Sequence, residues 1–145
     1  MKKKCSALFV YTDGGARGNP GPAAIGVIIF DENKKIIKTH KKCLGKATNN
    51  QAEYKAVIKA LEILKKLKTK PAPSKISFFL DSELVCKQIN KEYKIKSTNL
   101  RVLNEKVNKL ISDIKAKITF HNVPREDEHI READALVNEA LDEHN

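Results

Sequence analysis

Residues 11–30 read YTDGGARGNPGPAAIGVIIF: an apolar run closes on Asp13, a loop of glycines and prolines follows, and a second apolar run resumes at Ala23. The pattern predicts strands over 6–13 and 23–30 joined by a wide hairpin whose glycines permit positive φ. A hairpin accounts for the glycines and prolines but not for an acid at a strand end. A dinucleotide site does not account for it either. That site needs GxGxxG between a strand and a helix, whereas Gly14, Gly15, Gly18 and Gly21 miss the spacing and a strand comes next.

Outward from this hairpin, residues 35–43 read as a third strand reached through the turn residues DENK, which makes an antiparallel meander. In 50–67, Ala52, Ala56, Val57, Ala60, Leu61, Leu64 and Leu67 keep a helical period, and Pro71 ends the segment. A strand over 75–81, a short helix over 82–90 capped by Ser82, a helix over 99–114, a strand over 117–123 and a helix over 130–141 complete the reading. Strands that alternate with helices pair in parallel, so the expected architecture is α/β, one mixed sheet with helices packed on it. No linker or repeat interrupts the chain, and PAPS at 71–74 reads as a loop, so residues 1–145 are expected to form a single domain.

Three further acids sit where the local pattern favours another residue. Glu53 lies in the first turn of its helix on the stripe of Val57, Ala60 and Leu64. Asp134 falls at helical spacing from Ile130, Val137 and Leu141, and Asp81 closes the apolar strand ISFFL as Asp13 closes its own. Each alone reads as a helix-end charge or a turn-opening residue. Four carboxylates converging on one sheet repel unless cations neutralise them, and hard oxygen ligands suit Mg²⁺ or Mn²⁺.

The chain of 145 residues carries 28 Lys and Arg against 18 Asp and Glu, a formal charge of +10, which makes a polyanion the leading class of partner. Lysines favour 34–46, 65–70 and 87–101. Hydrophobic residues at 41% and charged residues at 32% describe a globular protein, and no apolar run reaches the roughly 18 residues of a membrane span. The start, MKKKCSALFVYTD, has no small-residue cleavage site after its short apolar stretch, so a cytoplasmic protein is expected. Cys5, Cys43 and Cys86 are odd in number and widely spaced, which favours neither a disulfide framework nor a zinc site.

Four segments, YTDGGARGNPGPAAIGVII, TNNQAEYKAVIKALE, DSELVCKQIN and VPREDEHIREADALVNEAL, resemble in order the four signature segments of type 1 ribonuclease H. The resemblance implies a ribonuclease H-like fold, with a five-stranded mixed sheet whose first three strands are antiparallel and helices on both faces. It implies a metal-dependent endonuclease that cuts the RNA strand of RNA/DNA hybrids, leaving 5′-phosphate and 3′-hydroxyl ends. Its cofactors would be two Mg²⁺ (or Mn²⁺) ions and no other small molecule. The family's metal ligands fall on Asp13, Glu53, Asp81 and Asp134, with Asp13 shared between the ions, Glu53 and Asp81 on the leaving-group side and Asp134 on the nucleophile side.

By the same resemblance, the Gly14 and Gly15 backbone approaches the RNA strand, and Asn19, Asn49 and Glu83 meet sugars or base edges. Thr48 and Asn50 take a phosphate of the DNA strand. A mobile auxiliary group that helps product leave falls on His129, with Glu128 second, both expected in a polar loop before the last helix. The family often has Gln where Glu83 stands. The expected form is short, with EYKIKSTNLR in place of the basic protrusion of many members and without a hybrid-binding domain before Asp13, and a monomer is expected. The alternatives are a ribonuclease H-like domain of a transposase, integrase or reverse transcriptase lineage, and a non-catalytic nucleic-acid binder.

Overall fold

Strands β1 (Ala7–Ala16), β2 (Gly21–Phe30) and β3 (Ile36–Ala47) form the expected antiparallel meander. They belong to a computed structural model that describes residues 6–69 and 72–144. Cys5 and Pro71, the latter expected to end the first helix, lie outside the described residues. After β3 come α1 (Asn49–Lys66), β4 (Lys75–Leu80), α2 (Glu83–Ile89), α3 (Thr98–Asp113), β5 (Lys117–Asn122) and α4 (Glu128–Glu143). The sheet order is β3-β2-β1-β4-β5, and β4 pairs in parallel with both β1 and β5. A connection through α1 makes the first parallel pairing possible, and α2 with α3 makes the second.

Alternation along β1 and β2 sends side chains to two cores. Leu8, Val10, Val27 and Ile29 pack with Val57, Leu61 and Leu64 of α1, Val85 of α2 and Val107 of α3. The opposite face is covered by α4, where Ala133 meets Ile28 and Phe30 while Val137, Ala140 and Leu141 meet Ala24. Helices therefore cover both faces of the sheet. Among the described residues no helix is long and apolar enough to cross a membrane.

Of the element boundaries that differ from expectation, those of β1 and α4 move site residues. β1 runs on through Gly14, Gly15 and Ala16, paired with Ile25, Ala24 and Ala23, so Asp13 sits inside a strand opposite Gly26 rather than at its end. The glycines that read as loop are strand residues, and the hairpin tip is only residues 17–20. The last helix starts at Glu128, not at Ile130, because the Asp127 side chain caps it by accepting from the His129 and Ile130 amides. Glu128 and His129 therefore lie in the first turn of α4 rather than in a preceding loop.

Candidate active site

Asp13 comes from the centre of β1, Glu53 from the second turn of α1, further in than the sequence suggests because the helix already starts at Asn49, and Asp81 from the residue after β4, so three neighbouring elements deliver carboxylates to one end of the sheet. One oxygen from each lies within 4.8 Å of the others. Asp13 is 6% exposed and Glu53 8% exposed, low values for ionisable groups without a cationic partner. Asp134 approaches Asp13 from α4 on the other side. It is exposed, and its side chain accepts from Asn138 Nδ2 at 3.3 Å, so it stands at the rim of the stripe formed by Ile130, Val137 and Leu141 instead of under it.

Two glycines let the acid-bearing helices come this close. A Cβ on Gly14 would overlap the carbonyl of Ala52, the residue before Glu53, and a Cβ on Gly26 would overlap the carbonyl of Ala133, the residue before Asp134. Gly26 pairs with Asp13 itself. Sequence reading missed Gly26, because a glycine inside a β-branched strand signals a close approach without saying what approaches.

The electrostatics follow from burial and crowding. Burial pushes the Asp13 carboxyl up to about 9, with the charges of Asp81 and Asp134 and a hydrogen bond to Asp134 adding, and the Arg125 guanidinium opposing. Glu53 is raised well above the carboxylate range, first by burial, then by Asp13 and Asp81, against a hydrogen bond from the Gly14 amide. Glu53 Oε1 and Asp81 Oδ1 are buried with no donor among the described residues. They can bond to each other only if one carboxyl keeps a proton. Arg125 Nε stands 3.8 Å from Asp81 Oδ2, at the mouth. An all-oxygen donor set with orphaned buried oxygens fits hard divalent cations.

Above the acids lies an open cleft of about 700 Å³. Of the residues expected at the site, Asp13, Gly14, Gly15, Asn49, Asn50, Glu53, Asp81 and Asp134 line it. Asn19 and Thr48 stand behind this lining and hold it in shape. Asn19 Oδ1 accepts from the Asn49 amide at 3.0 Å, and Asn49 Oδ1 accepts from the Ala16 amide at 2.8 Å, tying the hairpin to the start of α1. Thr48 forms a capping box with Gln51. Each of these oxygens accepts one hydrogen bond within the fold, and the Asn49 amide NH₂ and the Thr48 hydroxyl proton are available as donors.

Glu83 and His129 are not brought to the cleft. Glu83 pairs with Lys87 at 3.2 Å and accepts from the Tyr93 hydroxyl at 3.1 Å. The His129 ring packs against Tyr11 and Phe30, with centroids 5.0 and 4.5 Å away, and its Nδ1 lies 2.7 Å from Glu132. The same α4 approach instead brings Arg125, Glu126, Arg131 and Asn138 to the cleft, none of which the sequence reading named. Asn138 stands one turn from Asp134, and Arg17 donates to its Oδ1 at 3.3 Å. That i, i+4 spacing was the available signal.

Residues 11–140 match the family described as "Reverse transcriptase-like". A ribonuclease H of Clostridium botulinum is 32% identical over 161 aligned positions, covering 100% of this chain and 99% of that protein. A bifunctional protein of Mycobacterium tuberculosis is 34% identical over 93% of this chain, which spans 35% of that relative's length. Among solved structures, LC11-RNase H1 in complex with RNA/DNA hybrid is 39% identical with a TM-score of 0.88, covering 94% of this chain and 98% of that one. Since a full-length relative and a near-complete structural match agree with the five-stranded sheet and its acid cluster, the chain belongs to the type 1 ribonuclease H family.

Proposed function

We propose that this chain is an endonuclease that hydrolyses the RNA strand of RNA/DNA hybrids, leaving 5′-phosphate and 3′-hydroxyl ends. Asp13, Glu53, Asp81 and Asp134 would hold two divalent ions, Mg²⁺ or Mn²⁺. The observation that carries this reading is the buried pair of orphaned oxygens, Glu53 Oε1 and Asp81 Oδ1, beside an Asp13 carboxyl pushed up to about 9. Such crowding is costly in a metal-free protein and is relieved by cations. When bound, the ions would supply Lewis acidity, activating water and neutralising charge on the scissile phosphate.

The residues of the chain bind and orient around that chemistry. Asp13, central in the sheet, touches both the Glu53–Asp81 side and the Asp134 side, and its proton must leave before a cation enters. Asn49, its oxygen oriented by the Ala16 amide, has its NH₂ available to donate, which suits acceptors such as ribose oxygens and base edges of a minor groove. Gly14 and Gly15 line the cleft without side chains and so allow a nucleic-acid backbone close to β1. Arg125 and Arg131 at the rim supply cations for phosphates.

Labelled RNA/DNA, RNA/RNA, DNA/DNA and single-stranded RNA offered with Mg²⁺ or Mn²⁺ test the proposal. Cleavage restricted to the RNA of the hybrid is the expected result. Equal cutting of DNA duplex, or none of any substrate, would overturn it.

A further inference from the structure

On edge strand β3, Lys38, His40 and Lys42 pair with Ile29, Val27 and Ile25 of β2. Val27 and Ile29 belong to the core beneath α1, so the three β3 side chains share the α1 face of the sheet. Lys59 of α1 stands beside His40, and Lys55 lies one helical turn before it. The opposite face of β3 is neutralised, with Lys41 bonding Glu143 at 2.6 Å and Glu139 at 3.2 Å. By contrast, Lys38, Lys42, Lys55 and Lys59 enter no ion pair among the described residues. The two faces of one strand are thus treated oppositely.

We propose that Lys38, Lys42, Lys55 and Lys59 form a second nucleic-acid contact surface, separate from the cleft, that holds the phosphate backbone of a flanking duplex segment. None of the four lines the cleft. Ala47 clusters with Ala52 near the start of α1, and the charge of Lys59 reaches His40 further along, so the strip leads away from the acids down the flank of α1. Lys38 and Lys42 are about 13 Å apart on an extended strand. That is the axial rise of roughly four nucleotides of one strand, which favours a regular polyanion.

His40 reports the field there. Its imidazole is held below the ordinary range first by burial, then by Lys59, Lys38 and Lys42, and its buried Nε2 finds no partner among the described residues. A neutral ring between lysines adds no charge of its own, so the attraction rests on the ammonium groups.

The proposal goes beyond hybrid cleavage and is read without it. Affinity is measured by fluorescence anisotropy, in the absence of divalent ions, for DNA duplexes of about 10 and about 30 base pairs over a salt series. The triple variant Lys38→Gln, Lys42→Gln, Lys59→Gln is compared with a charge-matched control at the far edge of the sheet, Lys75→Gln, Lys115→Gln, Lys117→Gln. The strip variant is expected to lose about tenfold or more on the long duplex, to lower the salt slope by about 2 to 3, and to leave the short duplex within about twofold. An equal loss in the control, an equal loss on both lengths, or no loss on the long duplex, as for a strip serving an acidic protein, would overturn it. Failure of wild-type protein to cut hybrid would remove the cleavage proposal and leave this comparison standing.

Discussion

The two acid-bearing helices reach the sheet by the same device and end with opposite results. α1 settles at Gly14 and buries Glu53 to 8% exposure, whereas α4 settles at Gly26 and leaves Asp134 exposed beside Asn138. α1 lies over the main core, with Val57, Leu61 and Leu64 beneath it, so the turn that carries Glu53 cannot shift without opening that core. The α4 side is thinner, built on alanines and a few larger residues. A floor ligand set by packing and a rim ligand set by side-chain hydrogen bonds should therefore answer differently to mutation.

Asp13 belongs to both halves, so its loss should be the largest. Asp13→Asn is expected to lower hybrid cleavage by at least about a thousandfold, about 4 kcal/mol of barrier, with the fold intact by circular dichroism. Its stability effect should have the opposite sign in metal-free protein. With its carboxyl pushed up to about 9, folded Asp13 keeps a proton that the unfolded chain releases above about pH 4. Stability therefore falls as pH climbs from about 4 towards about 9, and ion affinity rises over the same window because binding expels that proton. Thermal melts in chelator should show Asp13→Asn more stable than wild type by at least about 4 °C at pH 8, with the gap closing near pH 4. A gap that widens towards acid would refute the electrostatic account.

The second and third effects separate floor from rim. In Gly14→Ala the new methyl would overlap the Ala52 carbonyl and the Glu53 amide nitrogen, both backbone, so β1 and α1 must part, at a cost of about 1 to 3 kcal/mol in denaturant melts. Because the shift parts Asp13 from Glu53, activity should fall about a hundredfold even where the protein stays folded. Asp134→Asn should cost only about tenfold, since water reaches the exposed position and Mg²⁺ retains several waters readily. Equal losses in the two variants, measured as kcat with saturating metal, would abolish the distinction.

Much of this was legible because the period of the pattern and the anomalies within it came from the same residues. Glu53 on an apolar stripe and Asp81 after ISFFL were exceptions that burial turned into a cluster. Sequence could not show that β1 continues through two glycines, since strand propensity argues against them and only the approach of Ala52 explains the gap at Gly14. Nor could it locate the α4 start, because the apolar period begins at Ile130 while the cap, Asp127, is one acid among several in a polar run. That boundary decides where His129 and Glu126 stand.

The smallest effect on turnover should come from His129. The family resemblance made it the leading auxiliary group, with a place in a polar loop before the last helix. The first turn of α4 instead fixes the ring on Tyr11 and Phe30 with its Nδ1 on Glu132, while Glu126, before the Asp127 cap, lines the cleft. His129→Ala is therefore expected to keep turnover within about twofold and to lose about 0.5 to 1.5 kcal/mol of stability through the aromatic contacts. Glu126→Ala should show the reverse, unchanged melting and a turnover lowered by about tenfold, the low end for a positioned acid–base group. Single-turnover and steady-state rates, measured together, separate slower chemistry from slower release. If His129→Ala loses tenfold in steady-state turnover while Glu126→Ala does not, then the first turn of α4 unwinds during the cycle, and the rim is more mobile than its hydrogen bonds imply.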